Sequence, residues 1–399
     1  MPSNRKALLT IFLIIFIDLL GFDLIIPIVP FYLEKFVTHP DEIGRTIAAM
    51  ITIFSLMQFI FSPIWGRLSD RYGRRPILMI SLTGAMISHI LFAIAGTLPL
   101  LFAARILTGI FSATVPTAMA YIADVTDQEN RAKGMGLVGA AFGLGFILGP
   151  AAGGLLSVVG GLKLPLFGAA FFSGTALLYA FLTLKETVDI DNPIERDYRR
   201  FNIANLFRAL RHPNLGILFL IFFIVTMGFA NLETVFALYI DKVFQLTSKE
   251  AGYYFAMIGF ISALTQGVLI GGFTKRFGEK KLITAATFIL GLSFLFLPLP
   301  KNVFLFIVPL AFIAFSLGLH NPSVTSLISK NASRDEQGGV LGMNQSFSSL
   351  GRVLGPLWAG FFFDRLGAGV PFISAGVLIL IACLLSLRLY GKNLIQSNS

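Results

Sequence analysis

Apolar residues run through the chain in long stretches, and short blocks between them hold most of the charge. Twelve stretches can be read: about Ala7–Leu33, Ile43–Gly66, Pro76–Ala95, Leu98–Asp124, Ala132–Val158, Leu164–Leu184, Leu215–Ile240, Ala251–Phe273, Leu282–Leu297, Val303–Ser329, Gly338–Phe363 and Val370–Leu389. A helix needs roughly 20 such residues to cross about 30 Å of hydrocarbon, and these runs have that length. They are apolar on all sides, without the alternation of a membrane barrel, so the pattern predicts twelve membrane-spanning helices. The first stretch is too long for a cleaved signal and has no small-residue cleavage site, so it is expected to remain as the first helix.

Composition agrees with that pattern. Of 399 residues 55% are hydrophobic and 13% charged, against about 25% charged in soluble domains. Most of the 31 Lys and Arg fall on one side of the predicted helices, among them Arg5, Lys6, Arg67, Arg71, Arg74, Arg75, Lys275, Arg276, Lys280, Lys281 and Lys330. The positive-inside rule then places both termini and the long central segment in the cytoplasm, with the chain a multi-pass protein of the inner or plasma membrane. The net charge of +10 follows from topology and from attraction to anionic headgroups, not from a nucleic-acid partner. One cysteine, Cys383, excludes a disulfide framework and a thiol metal cluster. No glycine loop of the nucleotide-binding kind and no catalytic or metal-ligand cluster is present. The chain reads as neither an enzyme nor a cofactor or metal protein.

The one long polar segment, residues 186–213, divides the chain into residues 1–185 and 214–399, and the two halves repeat each other. Pro116 answers Pro322, Gly136 answers Gly342, and Gly149-Pro150 answers Gly355-Pro356 at one constant offset. The turn "GRLSDRYGRRP" is repeated by "GGFTKRFGEKK", with Gly66, Arg71 and Gly73 against Gly271, Arg276 and Gly278. Duplication of a six-helix unit, with a midplane site between the copies, is a transporter architecture.

On "GRLSDRYGRRP" the chain resembles the major facilitator superfamily, and within it the twelve-helix drug:proton antiporters that include tetracycline and multidrug exporters. The resemblance covers essentially the whole length and implies an all-α fold of two pseudo-symmetric six-helix bundles. It implies a cytoplasmic gate built from Gly66, Asp70, Arg71, Gly73, Arg74, Arg75 and Asp124, in which Asp70 faces the start of helix eleven and Arg74 pairs with Asp124. Lys275 stands where Asp70 stands, so the equivalent latch of the second half is expected to be weakened. A basic turn that only fixes topology is the alternative. "GLGFILGPAAGG" resembles the helix-five motif of antiporters, with Gly145, Gly149, Pro150, Gly153 and Gly154. Its small residues make a smooth face for close helix contact, and its proline removes a backbone donor.

Intramembrane charge is the remaining signal. In "FIDLLGFDLIIPIVP" Asp18 and Asp23 lie five residues apart, about 140° around a helix and about 7.5 Å along it, so they cannot share one face. Two acids at the midplane cost roughly 5 to 7 kcal/mol, which the surrounding Leu, Ile and Phe offset for insertion without explaining the acids. The resemblance gives Asp23, four residues before Pro27, the place of the acid in multidrug antiporters, and Asp18 that of an acid in tetracycline exporters. Asp23 is therefore expected to exchange proton for substrate with Arg105 tuning it, and Asp18 to act as a secondary or structural acid. Glu233 is a third acid, and Arg352 is its candidate partner, either in a structural pair or around a substrate group. Gln58, Asn231, Tyr253, Tyr254, Gln266, Asn321, Asn344, Gln345 and Ser348 are candidate cavity residues. His89 reads as a packing histidine.

The resemblance thus implies a proton-driven, monomeric exporter of an amphipathic organic molecule that works by alternating access. A symporter or importer of the same fold, an exporter of a metabolite or siderophore, and a membrane receptor remain open alternatives. The tetracycline exporters carry further acids in helices three and nine. Here Ser88 and His89 stand in helix three, and "LITAATFILGLSF" has no acid, which counts against tetracycline as cargo.

Overall fold

The computed structural model describes residues 2–37, 39, 42–126, 128–187, 215–331 and 337–390. The predicted linker beyond Thr187 lies outside the described residues. Each of the twelve predicted spans is occupied by helix, and no strand occurs among the described residues. The helices are α1 (Pro2–Asp23), α2 (Val29–Leu33), α3 (Ile43–Tyr72), α4 (Arg74–Ile94), α5 (Leu98–Ile110), α6 (Thr114–Val125), α7 (Gln128–Gly160) and α8 (Lys163–Thr183). They continue with α9 (Gly216–Phe244), α10 (Ser248–Leu264), α11 (Ile270–Phe277), α12 (Glu279–Phe296), α13 (Val303–Lys330), α14 (Gln337–Leu366) and α15 (Val370–Ser386).

Three predicted spans are broken inside. The first ends its regular helix at Asp23 and resumes at Val29, because Pro27 offers no amide and steers Ile26 away from helical geometry, while Pro30 fits the first turn of α2. The fourth breaks at Phe111–Ala113, where Ser81 Oγ donates to the Phe111 carbonyl at 2.5 Å and accepts the Ala113 amide at 3.1 Å. The eighth passes through a π turn, Thr265–Leu269, between α10 and α11. Such breaks survive at membrane depth only where neighbouring groups satisfy the freed backbone.

Among the described residues nine spans are long and apolar enough to cross a bilayer by themselves. Of the other three, α1 carries Arg5, Lys6, Asp18 and Asp23, α12 opens on Glu279, Lys280 and Lys281, and α14 carries a run of amide and hydroxyl side chains with Arg352.

The chain forms two compact units. Unit 1 comprises the described residues of 1–40, 53–199 and 246–256, and unit 2 those of 41–52, 200–245 and 257–399. The start of α3 thus clusters with unit 2 and the start of α10 with unit 1. In unit 1, Ile11, Ile14 and Ile15 of α1 pack on Leu78 and Leu82 of α4, Tyr121 and Ile122 of α6, and Ala176 and Ala180 of α8. In unit 2, Leu218, Phe219 and Ile221 of α9 pack on Ile283 of α12, Val324, Leu327 and Ile328 of α13, and Phe347 of α14. Large apolar side chains such as Val159, Phe171, Leu182 and Phe304 remain exposed, as a lipid-facing surface requires.

Lipid is as apolar as leucine, so helices in it associate through close packing rather than through burial from water. The α1–α7 seam of unit 1 does this with glycine. A Cβ on Gly149 would stand 2.5 Å from Asp23 Cβ, and one on Gly153 would stand 2.1 Å from the Leu24 carbonyl oxygen. Gly145 meets Leu19 and Asp23 in the same way, while Gly154 turns to Ser248 and Lys249. The helix runs unbroken through Pro150. Gly153→Ala places its methyl against backbone that cannot step aside. The substitution should destabilise the fold by about 1–3 kcal/mol, read as a lower melting temperature of the detergent-solubilised protein.

Candidate functional site: a charged turn and buried polar side chains

The Gly66–Pro76 turn is built around a guanidinium. Arg74, 1% exposed, meets Asp70 at 2.5 Å, Asp124 at 2.9 Å and Ser69 Oγ at 2.7 Å. These are charge-assisted hydrogen bonds, the strong kind. Gly73 makes the turn with φ of +100°, a conformation that favours glycine. The next two amides, of Arg74 and Arg75, donate to the two carboxylate oxygens of Glu186 at 2.8 and 3.0 Å. A Cβ on Gly73 would sit 2.4 Å from Glu186 Oε2. Glu186 therefore caps α4, where an anion is favoured by the helix dipole. The residue escaped sequence reasoning because it falls at the start of the polar linker; an acid just past a helix end is the available signal.

The second half answers with reversed charges. The repeat aligns Gly73 with Gly278, Arg74 with Glu279 and Asp124 with Lys330. Gly278 again has positive φ, at +74°. Lys330 binds Glu279, which also accepts from Ser326 Oγ at 3.2 Å. Burial would raise the Glu279 carboxyl, but the bonds from Lys330 and Ser326 and its place at a helix start hold it below the ordinary carboxylate value. The weakening expected from Lys275 thus applies to the Asp70 position alone. The Arg74–Asp124 pair has a counterpart of opposite polarity.

The helix-one acids occupy separate seats in unit 1. Asp23, 6% exposed, lies on the glycine seam of α7. Asp18 accepts from Ser173 Oγ of α8 at 3.1 Å. Ser173 Oγ lies 3.4 Å from His89 Nδ1 of α4. Arg105 is buried with its guanidinium 4.7 Å from the Phe92 ring centroid, a cation–π contact, and its charge acts on His89. Gly109, one turn on, lets α5 approach α3 at Phe54, whose carbonyl oxygen would be 2.5 Å from a Cβ there. His89 was read from sequence as a packing residue. It is buried, at 2% exposure, and Ser173 stands between it and Asp18.

In unit 2, Glu233 of α9 is partly buried and lies in the field of Arg352 of α14, with no ion pair between them within 4 Å. Asn344 and Ser348 are buried on the face of α14 that leads to Arg352, while Gln345 is exposed. Asn231 donates to the Pro371 carbonyl at 3.2 Å, and Asn321 Oδ1 lies 3.2 Å from His320 Nδ1. Gln266 is exposed on the π turn. Among the cavity candidates of unit 1, Gln58 donates to Ser112 Oγ at 2.6 Å, and Tyr253 is exposed with Lys249 over its ring. Tyr254 is partly buried. Asp364, also missed from sequence, caps α3 within unit 2 by accepting the amides of Gly44 at 3.1 Å and Arg45 at 2.8 Å. No group of three metal-ligating side chains forms among the described residues.

Two outcomes are expected. Arg74→Ala leaves Asp70 and Asp124 facing each other without their shared cation, and should cost about 3–5 kcal/mol, read as lost folded yield and a lowered melting temperature. Lys330→Glu sets two carboxylates against each other and should lower the melting temperature, by about 1 kcal/mol for the lost pair alone, and adding Glu279→Lys should restore it.

The chain is similar to proteins of known kind. The model of the Major Facilitator Superfamily matches residues 11–356 and 218–396. Multidrug resistance protein 1 of Bacillus subtilis is 36% identical over 388 residues, 96% of this chain and 97% of that protein. The class C tetracycline resistance protein of Escherichia coli is 33% identical over 392 residues, 97% of this chain and 98% of that one. Among solved structures, the human organic anion transporter MFSD10 superposes with a TM-score of 0.73 at 25% identity, covering 97% of this chain and 100% of that one. A bacterial homologue of the lysosomal transporter Spinster gives 0.79 at 16% identity, over 99% and 98% of the two chains. The chain belongs to the Major Facilitator Superfamily.

Proposed function

We propose that the chain is a secondary active transporter that exports amphipathic organic compounds in exchange for protons. It works as a monomer in the inner or plasma membrane with both termini cytoplasmic, and needs no cofactor beyond the proton gradient. The observation that carries proton coupling is the seating of two acids of one broken helix inside unit 1, Asp23 on the glycine seam and Asp18 beside the Ser173 hydroxyl. A carboxyl group away from water binds a proton more readily than one in water, which is what exchange at neutral pH requires.

The multidrug and tetracycline relatives support drug-like cargo. The lack of an acid in "LITAATFILGLSF" favours the multidrug kind over tetracycline. Glu233 and Arg352 give unit 2 one charge of each sign for the cargo's polar group. The Arg74 cluster and the Glu279–Lys330 pair act as cytoplasmic latches whose release accompanies opening to that side.

Asp23→Asn in proteoliposomes should abolish ethidium flux driven by an imposed pH gradient while the protein remains folded. Full gradient-driven flux in that variant would sink the assignment of Asp23. If the pH gradient instead drives uptake together with protons, the reading as an antiporter is replaced by that of a symporter.

A further inference from the structure

The chain of polar side chains around Asp18 does not stop at one hydrogen bond. It runs from His89 through Ser173 to Asp18, and a second pair of hydroxyls, Thr114 and Ser81, meets at 3.1 Å in the same unit. The chain draws on α4, α8 and α1 and lies wholly within unit 1. Ser81, Ser173 and His89 are at most 2% exposed, and Thr114 is 5% exposed. Ser81 and His89 are both on α4, eight residues and so about 12 Å apart along the axis. At its far end His89 Nε2 is buried without a hydrogen-bond partner, and so is Nε of Arg105. A buried polar atom without a partner is costly in an interior that could have been packed with carbon.

Resting on the proton-coupled reading above, we propose that His89 and Ser173 form the route by which Asp18 receives its proton. The bookkeeping closes within the side chains. A proton arrives on His89 Nε2, the Nδ1 proton passes to Ser173 Oγ, and the Ser173 hydroxyl proton passes to Asp18 Oδ1. The ring is left neutral with its proton on Nε2, the serine is unchanged, and Asp18 is a neutral acid. Among the described residues Arg105 is the charged group whose field acts on the ring. Facing Asp18 is the hydroxyl of Ser173, which donates to it at 3.1 Å.

The test compares two fluxes of ethidium in the same proteoliposomes: flux driven by an imposed pH gradient, and ethidium exchange at equal pH on both sides. In Ser173→Ala the ratio of gradient-driven to exchange flux should fall by about tenfold or more, the scale of a lost proton-transfer group. Ser173→Thr, which keeps the hydroxyl, should restore it. His89→Gln should lower the ratio in the same way and change the solvent deuterium isotope effect on gradient-driven flux. A ratio in Ser173→Ala and His89→Gln within about twofold of the unaltered protein overturns the route. If Ser173→Ala melts at a lower temperature and Ser173→Thr melts normally yet stays uncoupled, the serine is structural and the route is again overturned. Absence of any gradient-driven flux in the unaltered protein is a different failure, that of the proton-coupled reading itself.

Discussion

Hydrocarbon cannot solvate a peptide group or a charge, and each unusual feature of this chain follows from that constraint. The backbone answers with helices, whose bonds are internal. Where the ladder breaks, a side chain takes over, as Ser81 does at Phe111–Ala113. The side chains answer by gathering charge into a few sites. Arg74 is surrounded by three side-chain acceptors, Arg105 lies on an aromatic face, and the acids of α1 turn inward rather than toward lipid. Removing one member of such a site costs more than the contact itself, because the survivor is left in a medium that cannot solvate it.

Much of this was legible in the sequence because the bilayer imposes one dominant pattern. The spans are apolar on all sides, so their existence and rough ends follow from length alone, and the duplicated Gly-Pro and Arg positions fix the pairing of halves. What the pattern could not carry was local. The breaks at Asp23–Val29 and Phe111–Ala113 lie inside apolar text that reads as continuous helix. The start of α3 and the start of α10 each cluster with the opposite unit from the rest of their bundle, and a division by sequence position has no means of registering that. Asp18 and Asp23 could be placed on different faces by counting residues. Which neighbour each would meet depended on α6, α7 and α8, whose packing is set by small residues far off in sequence.

The two charged turns show how a duplicated element keeps a shape while exchanging its chemistry. Positive φ at Gly73 and Gly278 is retained in both halves, since only glycine takes that conformation at no cost. The ion pair beside it is retained as a pair but reversed in sign, Arg74–Asp124 against Glu279–Lys330. A Coulomb attraction is indifferent to which helix carries the positive charge, so the reversal preserves the link. It does not preserve burial: Arg74 is enclosed, whereas the Lys330 side chain is 62% exposed. The first turn is therefore the stronger fastening and the second the more easily released.

The same reasoning separates the two acids of α1, which differ in neighbours rather than in chemistry. Asp18 touches the Ser173 hydroxyl, which rotates at little cost and can donate or accept. Asp23 lies on glycines, which have no side chain to rearrange. A proton gained or lost at Asp18 is absorbed by turning hydrogen bonds. Asp23 is set instead against the α7 seam, where Gly145 and Gly149 let the two helices approach closely. The helix lies on the side of that seam where its regular hydrogen bonding stops, between Asp23 and Val29. One broken helix thus presents its two carboxylates to different surfaces, Asp18 to the Ser173 hydroxyl of α8 and Asp23 to the glycines of α7.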